Sequence, residues 1–285
     1  MSPVFPPTPM SAIRRIVRRL TALPSKPPIV AYLALLLVVS AWATGRVEAV
    51  GRGILIVGIY SFFDLVLGYI REQKWVLPSS AWISGLILSL VLSPTAPLRA
   101  VVLAPVLASG SKQLIRLRRR HIFNPAAFAL VALGLLYPQL GVVSWWGAAW
   151  GLLPFGLITL SGIVTVIRVK RWRTALAFLS VYLPVSGVLL LSRGGQAEDL
   201  GTLVIDGTLA FFTTVMLVEP VTTAYQPAWL RTSFGAAVAI FVVLLSLPGV
   251  AVPVPDPFLV SLLAGNFSML LLSRVLRPRR VLYAL

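Results

Sequence analysis

Long apolar runs recur along this chain, at about residues 29–44, 54–70, 81–92, 100–115, 125–137, 146–167, 174–191, 203–218, 232–247 and 257–276. Several approach the ~20 residues that a helix needs to cross ~30 Å of hydrocarbon. Water is excluded as the main solvent for such a chain: hydrophobic residues make up 58% of it and charged ones only 12%, too little polar surface to cover a soluble domain. The pattern predicts an all-α membrane protein with about ten transmembrane helices. An even number of spans returns the chain to the side on which it began.

Charge provides an independent check on that count. A formal net charge of +17 and a pI near 11.5 would suit a nucleic-acid binder, but the basic residues stand in short runs between apolar segments and form no continuous patch. No nucleic-acid partner is expected. Alternating the spans divides the 25 lysines and arginines very unequally, with only Arg46, Arg52, Arg99 and Arg193 on one side and the other 21 opposite them. Positive residues stay inside, so both termini are expected in the cytoplasm, in a multi-pass protein of the cell inner (plasma) membrane. Residues 1–28, with Arg14, Arg15, Arg18 and Arg19, read as a Pro-rich cytoplasmic basic arm, 29–140 as a first set of five spans, and 141–285 as a second. The first run ends in Ala41-Trp42-Ala43, but its charged leader is too long for a signal peptide, so it is read as a retained span. The absence of cysteine excludes disulfides, thiolate zinc sites and an iron–sulfur cluster held by this chain, and a single histidine excludes bis-histidine haem. Any redox cofactor must be organic or belong to a partner. No metal site is expected.

Two runs are too short to cross alone. Trp82–Leu92 and Ile205–Val218 would extend only about 17 and 21 Å as helices. Each is the third span of its half, and each stops at a proline turn, Ser93-Pro94-Thr95-Ala96-Pro97 in one case and Glu219-Pro220-Val221-Thr222 in the other. Two spans later each half starts a helix alike, with Asn124-Pro125 and Asp256-Pro257. Asn or Asp can cap free N–H groups there, and Pro suits the first helical position. Because five is odd, the second half is inverted relative to the first. Two inverted five-helix repeats with broken third and eighth spans are therefore expected, their unsatisfied backbone groups turned toward a cofactor, ion or solute. The geometry predicts Asn124 and Glu219 together at one inner vestibule, with Ser93 and Asp256 as its outer mirror.

The stretch from Ile83 to Leu130, with its two-proline break, Lys112 and the phrase Phe123-Asn124-Pro125-Ala126, resembles the central block of the RnfD/NqrB family. Members of that family are membrane components of the Rnf electron-transport complex and of the sodium-pumping NADH:quinone reductase. The later stretch from Ala210 to Ala224 resembles the family's second block, with Glu219 where aspartate is usual. The resemblance implies a non-catalytic membrane subunit of an oxidoreductase complex. It further implies a bound flavin or quinone, flavin- or iron–sulfur-containing redox partners on the cytoplasmic side, and electron transfer coupled to ion movement. It assigns cofactor binding to Lys112, Asn124, Pro125, Glu219, Pro220, Thr222 and Thr223; His121, an interfacial histidine that could serve as a proton group, is added to the cofactor-binding candidates on its own chemistry. Two departures matter. The Ser-x-Ala-Thr motif that carries covalent flavin mononucleotide is missing from the segment 137–144, so only a non-covalent flavin (FMN or riboflavin) is expected. The family's glycine-rich approach to its FNPA phrase is here Arg116 to His121, a basic rim suited to a flavin phosphate, a nucleotide-binding partner, lipid headgroups, or orientation alone.

Asp64, Asp206 and Asn266 fall inside apolar runs and are candidates for an ion pathway. Each also has a structural reading. An aspartate at a span centre costs ~2.5–3.5 kcal/mol to insert, so Asp64 should face the bundle interior and a donor. A second functional class remains open at this stage: a non-redox channel or transporter for a small solute or ion, with an architecture like that of urea channels.

Overall fold

The computed structural model describes residues 26–75, 77–117, 120–223, 228–247 and 254–275. Most of the expected basic arm, Arg118, Arg119 and Arg277 to Arg280 lie outside the described residues, and so do parts of the charge pattern. The first described helix is α1 (Lys26–Ala43), which starts three residues before the first apolar run, with Pro27 and Pro28 in its first turn, where no N–H is needed. Next comes α2 (Glu48–Glu72), with Glu48 in its first turn and Arg71 in its last to complement the helix dipole. The short α3 (Ser79–Val91) gives way to the proline turn, and α4 (Leu98–Leu114) follows. A two-stranded hairpin of β1 (Arg116–Leu117) and β2 (Arg120–His121) leads into α5 (Pro125–Leu136). The remainder comprises α6 (Leu152–Arg168), α7 (Trp172–Ser192), α8 (Asp199–Val204), α9 (Gly207–Phe211), α10 (Ala228–Leu245) and α11 (Pro257–Val275).

Among the described residues, five helical stretches are long and apolar enough to cross a membrane: α1, α2, α7, Asp199–Met216 and α10. Shorter apolar helices occupy α3, α5, α6 and Pro257–Leu272. Large apolar side chains such as Ile54, Leu160 and Val188 point outward at 67–71% exposure, a surface that only lipid can solvate over so many helices. The protein is a helical membrane protein. Among the described residues its core is one large apolar cluster drawn from most of the helices, with a small second cluster at Val166, Ala175 and Val218. Within the first half α2 packs on α3 and α4, α4 on α5, and α1 on α3; in the second α7 packs on α10, α10 on α11, and α6 on α9.

Two expected spans differ from their sequence reading. The run 146–167 was expected to be helical throughout, but α6 begins only at Leu152. The residues before it form an irregular segment across the end of α3. Val91 O accepts from the Ser144 and Trp145 amides, Leu90 O accepts from the Gly147 amide, and Ser93 N–H donates to Val142 O. Those carbonyls have no helical partner because α3 stops, and in hydrocarbon each would cost several kcal/mol unsatisfied. Their demand outweighs the helix-forming tendency of the segment. Gly207 is required by the same arrangement, since a Cβ there would stand 1.9 Å from the Ala148 carbonyl oxygen.

The eighth span is the second difference. Where one short helix over 205–218 was expected, α8 ends at Val204 and the chain restarts at Asp206, whose carboxylate accepts the Thr208 amide at 2.7 Å. The restarted helix widens into a π-helical turn at Phe212–Met216 before the proline turn. An apolar run does not reveal a cap in its interior, because Asp206 counts there as a single polar residue. Such π turns are frequent at functional sites.

Candidate functional site

The strongest convergence of polar groups is built around the turn that ends the broken eighth span. Glu219 starts the turn. Its carbonyl accepts from the Thr223 amide at 3.1 Å and from the Thr223 hydroxyl at 2.5 Å, while Pro220 has no N–H to leave unpaired. One carboxylate oxygen of Glu219 meets His121 Nε2 at 3.1 Å and the other accepts from Thr222 Oγ1 at 3.2 Å. His121 arrives on β2, from the other half of the chain. The contact is an ion pair when the imidazole carries both protons and a hydrogen bond otherwise.

Asn124 approaches the same stretch one turn deeper. Its side-chain oxygen caps α5 by accepting the Ala127 amide at 3.0 Å, and its Nδ2 points to the Met216 carbonyl at 3.4 Å. Met216 closes the π-helical turn, and its carbonyl also accepts from the Glu219 amide at 3.4 Å. Asn124 is 2% exposed and Pro125 is buried behind it. The structure therefore brings His121, Asn124, Pro125, Glu219, Pro220, Thr222 and Thr223 into one neighbourhood.

Lys112 belongs to an adjoining network. Its ammonium donates to Asp64 Oδ2 at 2.7 Å and to Ser80 Oγ at 2.8 Å, and Gln113 Nε2 donates to Asp64 Oδ1 at 2.7 Å. Asp64 thus has the donors that a carboxylate on an apolar helix requires. The ammonium stands 5.9 Å from the Tyr60 ring centroid and interacts electrostatically with Glu219 as well as with Asp64. The two acidic groups share one end of the bundle.

The other two ion-pathway candidates lie elsewhere. Asp206 is the α9 cap, and Asn266 is 1% exposed on α11 with neither side-chain polar atom bonded to protein. No contact joins them to Asp64 among the described residues. No cluster of three metal-binding side chains occurs there either.

At the far end of α5, Gly134 packs against Pro255, and the second capped helix starts. Asp256 Oδ1 accepts the Leu259 amide at 2.9 Å, and Asp256 Oδ2 accepts Trp145 Nε1 at 2.7 Å. Trp146 Nε1 donates to Ser89 O and Trp150 Nε1 to Ser40 Oγ. Ser93 and Asp256 are both tied to the segment 142–145, and no bond joins them directly. A small open pocket beside this end is lined by Arg52, Ser89, Ser93, Val101 and Trp146. From Trp145 an aromatic cluster continues through Phe178, Tyr182, Phe211, Phe212 and Phe258, with contacting ring centroids 5.0–6.5 Å apart.

Each proline turn is braced by an arginine at the start of the helix that follows the first span of its half, Arg52 within α2 and Arg171 just before α7. Arg52 Nη1 donates to Ala96 O at 2.6 Å, and Arg171 donates from Nη2 to Pro220 O at 3.3 Å and from Nε to Thr223 Oγ1 at 3.0 Å. A guanidinium can satisfy several exposed carbonyls from one fixed plane. Sequence reading passed over these arginines and the indoles of Trp145, Trp146 and Trp150. Arg52 gave a signal, as a cation just before an apolar run on the side with few positive charges. The tryptophans gave none beyond their clustering. No protein-family model matches this chain and no curated protein aligns with it significantly.

Proposed function

We propose that the chain is a membrane-embedded, non-catalytic subunit of an electron-transport assembly similar to the Rnf complex and the sodium-pumping NADH:quinone reductase. In this reading it crosses the cell inner membrane ten times as two inverted five-helix repeats, with the Asn124 end facing the cytoplasm. The site around Asn124, His121 and Glu219 holds a non-covalent flavin or a quinone. Redox partners bearing flavin or iron–sulfur groups meet it on the same side.

The observation that carries the reading is the convergence of a capped helix from one half on the broken helix of the other. Asn124 lies against Met216, and His121 against Glu219. The repeat is supported by the arginine braces and by the parallel order of helix packing in the two halves. A buried amide, an imidazole and hydroxyls gathered at the end of a broken helix are the kinds of donor and acceptor that the edge of an isoalloxazine or quinone ring requires. The neighbouring Lys112–Asp64 pair supplies a group that can take up or release a proton when that ring changes charge.

Flavin should be released by acid from protein purified in mild detergent, leaving no fluorescence in the denatured band. Asn124→Ala or Glu219→Ala should reduce flavin occupancy about tenfold, whereas Leu160→Ala on the lipid face should leave it unchanged. Protein that contains no flavin and takes up neither flavin nor quinone would overturn the redox reading in favour of a solute or ion pathway. The topology has its own test. A fluorescent reporter that folds only in the cytoplasm should be bright when fused after Leu285, and a dark fusion beside an active periplasmic phosphatase fusion would reverse the assignment.

A further inference from the structure

The open pocket beside the first proline turn has about 230 Å³ of space, with Ile56, Leu92, Val101 and Trp146 as apolar walls and Arg52 and Ser93 among its polar members. Those walls are held by bonds of their own. Trp146 Nε1 donates to Ser89 O at 2.8 Å, Ser93 N–H donates to Val142 O at 2.7 Å, and the Ser93 and Thr95 hydroxyls stand 2.9 Å apart. The pocket is therefore shaped before any ligand arrives.

Arg52 is half-buried, and its guanidinium is fixed by one bond, from Nη1 to Ala96 O at 2.6 Å. A guanidinium carries five N–H donors in a rigid plane, so the edge formed by Nε and Nη2 is left over. No carboxylate of the protein takes it. All eight aspartates and glutamates are among the described residues, and their ion pairs run to Arg71, Lys112 and His121. Even Glu48, one turn earlier on α2, makes no ion pair with Arg52.

We propose that this pocket binds a carboxylate group carried on a short apolar stem. One guanidinium balances one negative charge, which favours a monoanion over phosphate. The parallel N–H groups of the Nε and Nη2 edge match two carboxylate oxygens, whereas a halide ion offers a single acceptor. Ile56, Leu92, Val101 and Trp146 suit a hydrocarbon stem, and the space is smaller than the ~300–1,000 Å³ of pockets for drug-sized ligands, so a flavin does not fit. The carboxylate comes either from a short-chain acid in water or from a fatty acid in the bilayer. The site lies at the far end of α5 from Asn124 and does not depend on the redox reading.

Isothermal titration calorimetry of the full chain in non-ionic detergent tests this, comparing butyrate with neutral butyramide, laurate with dodecanol, and both acids with chloride and inorganic phosphate. Saturable binding of at least one acid is expected, with none of its neutral counterpart or of the inorganic anions at the same concentration. Binding of butyrate identifies a water-soluble acid; binding of laurate alone identifies a fatty acid. Arg52→Lys keeps the charge and a donor for Ala96 O but loses the fork. Its half-saturating concentration should rise about tenfold, the loss of a charge-assisted hydrogen bond, while the thermal midpoint without ligand stays near that of the parent. Arg52→Gln should bind more weakly still. Binding of neither acid by the parent, equal binding of the neutral or inorganic probes, or affinity unchanged in both variants would overturn the proposal.

Discussion

Lys112→Met should destabilise the protein by about 3–5 kcal/mol, the cost of leaving one member of a buried ion pair uncompensated. The ammonium and the Asp64 carboxylate are 2.7 Å apart with side-chain exposures of 12% and 8%, so water cannot take over the role of the missing partner. Ser80 loses its donor as well, and Gln113 is left as the remaining donor to Asp64. The double substitution Lys112→Met with Asp64→Asn removes both charges and keeps an acceptor for Gln113. It should recover most of the loss. Unfolding in detergent, followed by the loss of helical circular dichroism, checks both. A single variant as stable as the parent would mean that the pair is more hydrated than its burial indicates.

Asp256→Ala should cost about 2–4 kcal/mol. Two separate losses add up here: a helix cap, worth ~0.5–2 kcal/mol, and the partner of a buried indole N–H, whose desolvation costs ~1–3 kcal/mol. Trp145 is 6% exposed, so its Nε1 has little access to water once Asp256 is gone. Asp256→Asn keeps an oxygen for the Leu259 amide and should lose less than the alanine variant. Trp145→Phe in the Asp256→Ala background should bring little further loss, because the bond is already broken. Tryptophan fluorescence and the unfolding midpoint report the two effects together.

Local physics made part of the site legible. Asn124-Pro125 announces a capped helix, and the cap is formed with the Ala127 amide. Proline spacing at 94, 97 and 220 announced that α3 and the restarted eighth helix must stop. The burial of Asp64 followed from the cost of a carboxylate in hydrocarbon, but its partner did not. Lys112 lies 48 residues away, and nothing local distinguishes it from the other basic residues near a helix end. The helix expected from residue 146 failed for the same reason, since the carbonyls of Leu90 and Val91 that divert it belong to a distant segment.

By itself, then, the sequence determined the solvent, the helical class and those helix ends that carry a proline or an Asn/Asp-Pro cap. Those properties depend on hydropathy and on backbone chemistry within a few residues. Tertiary structure alone decided which free backbone groups are satisfied by which partners. It set Arg52 on one turn and Arg171 on the other, drew Trp145 to Asp256, and brought His121 to Glu219 from 98 residues away. In a lipid-facing chain an unsatisfied backbone group cannot turn to water, so its partner must come from another segment of the protein.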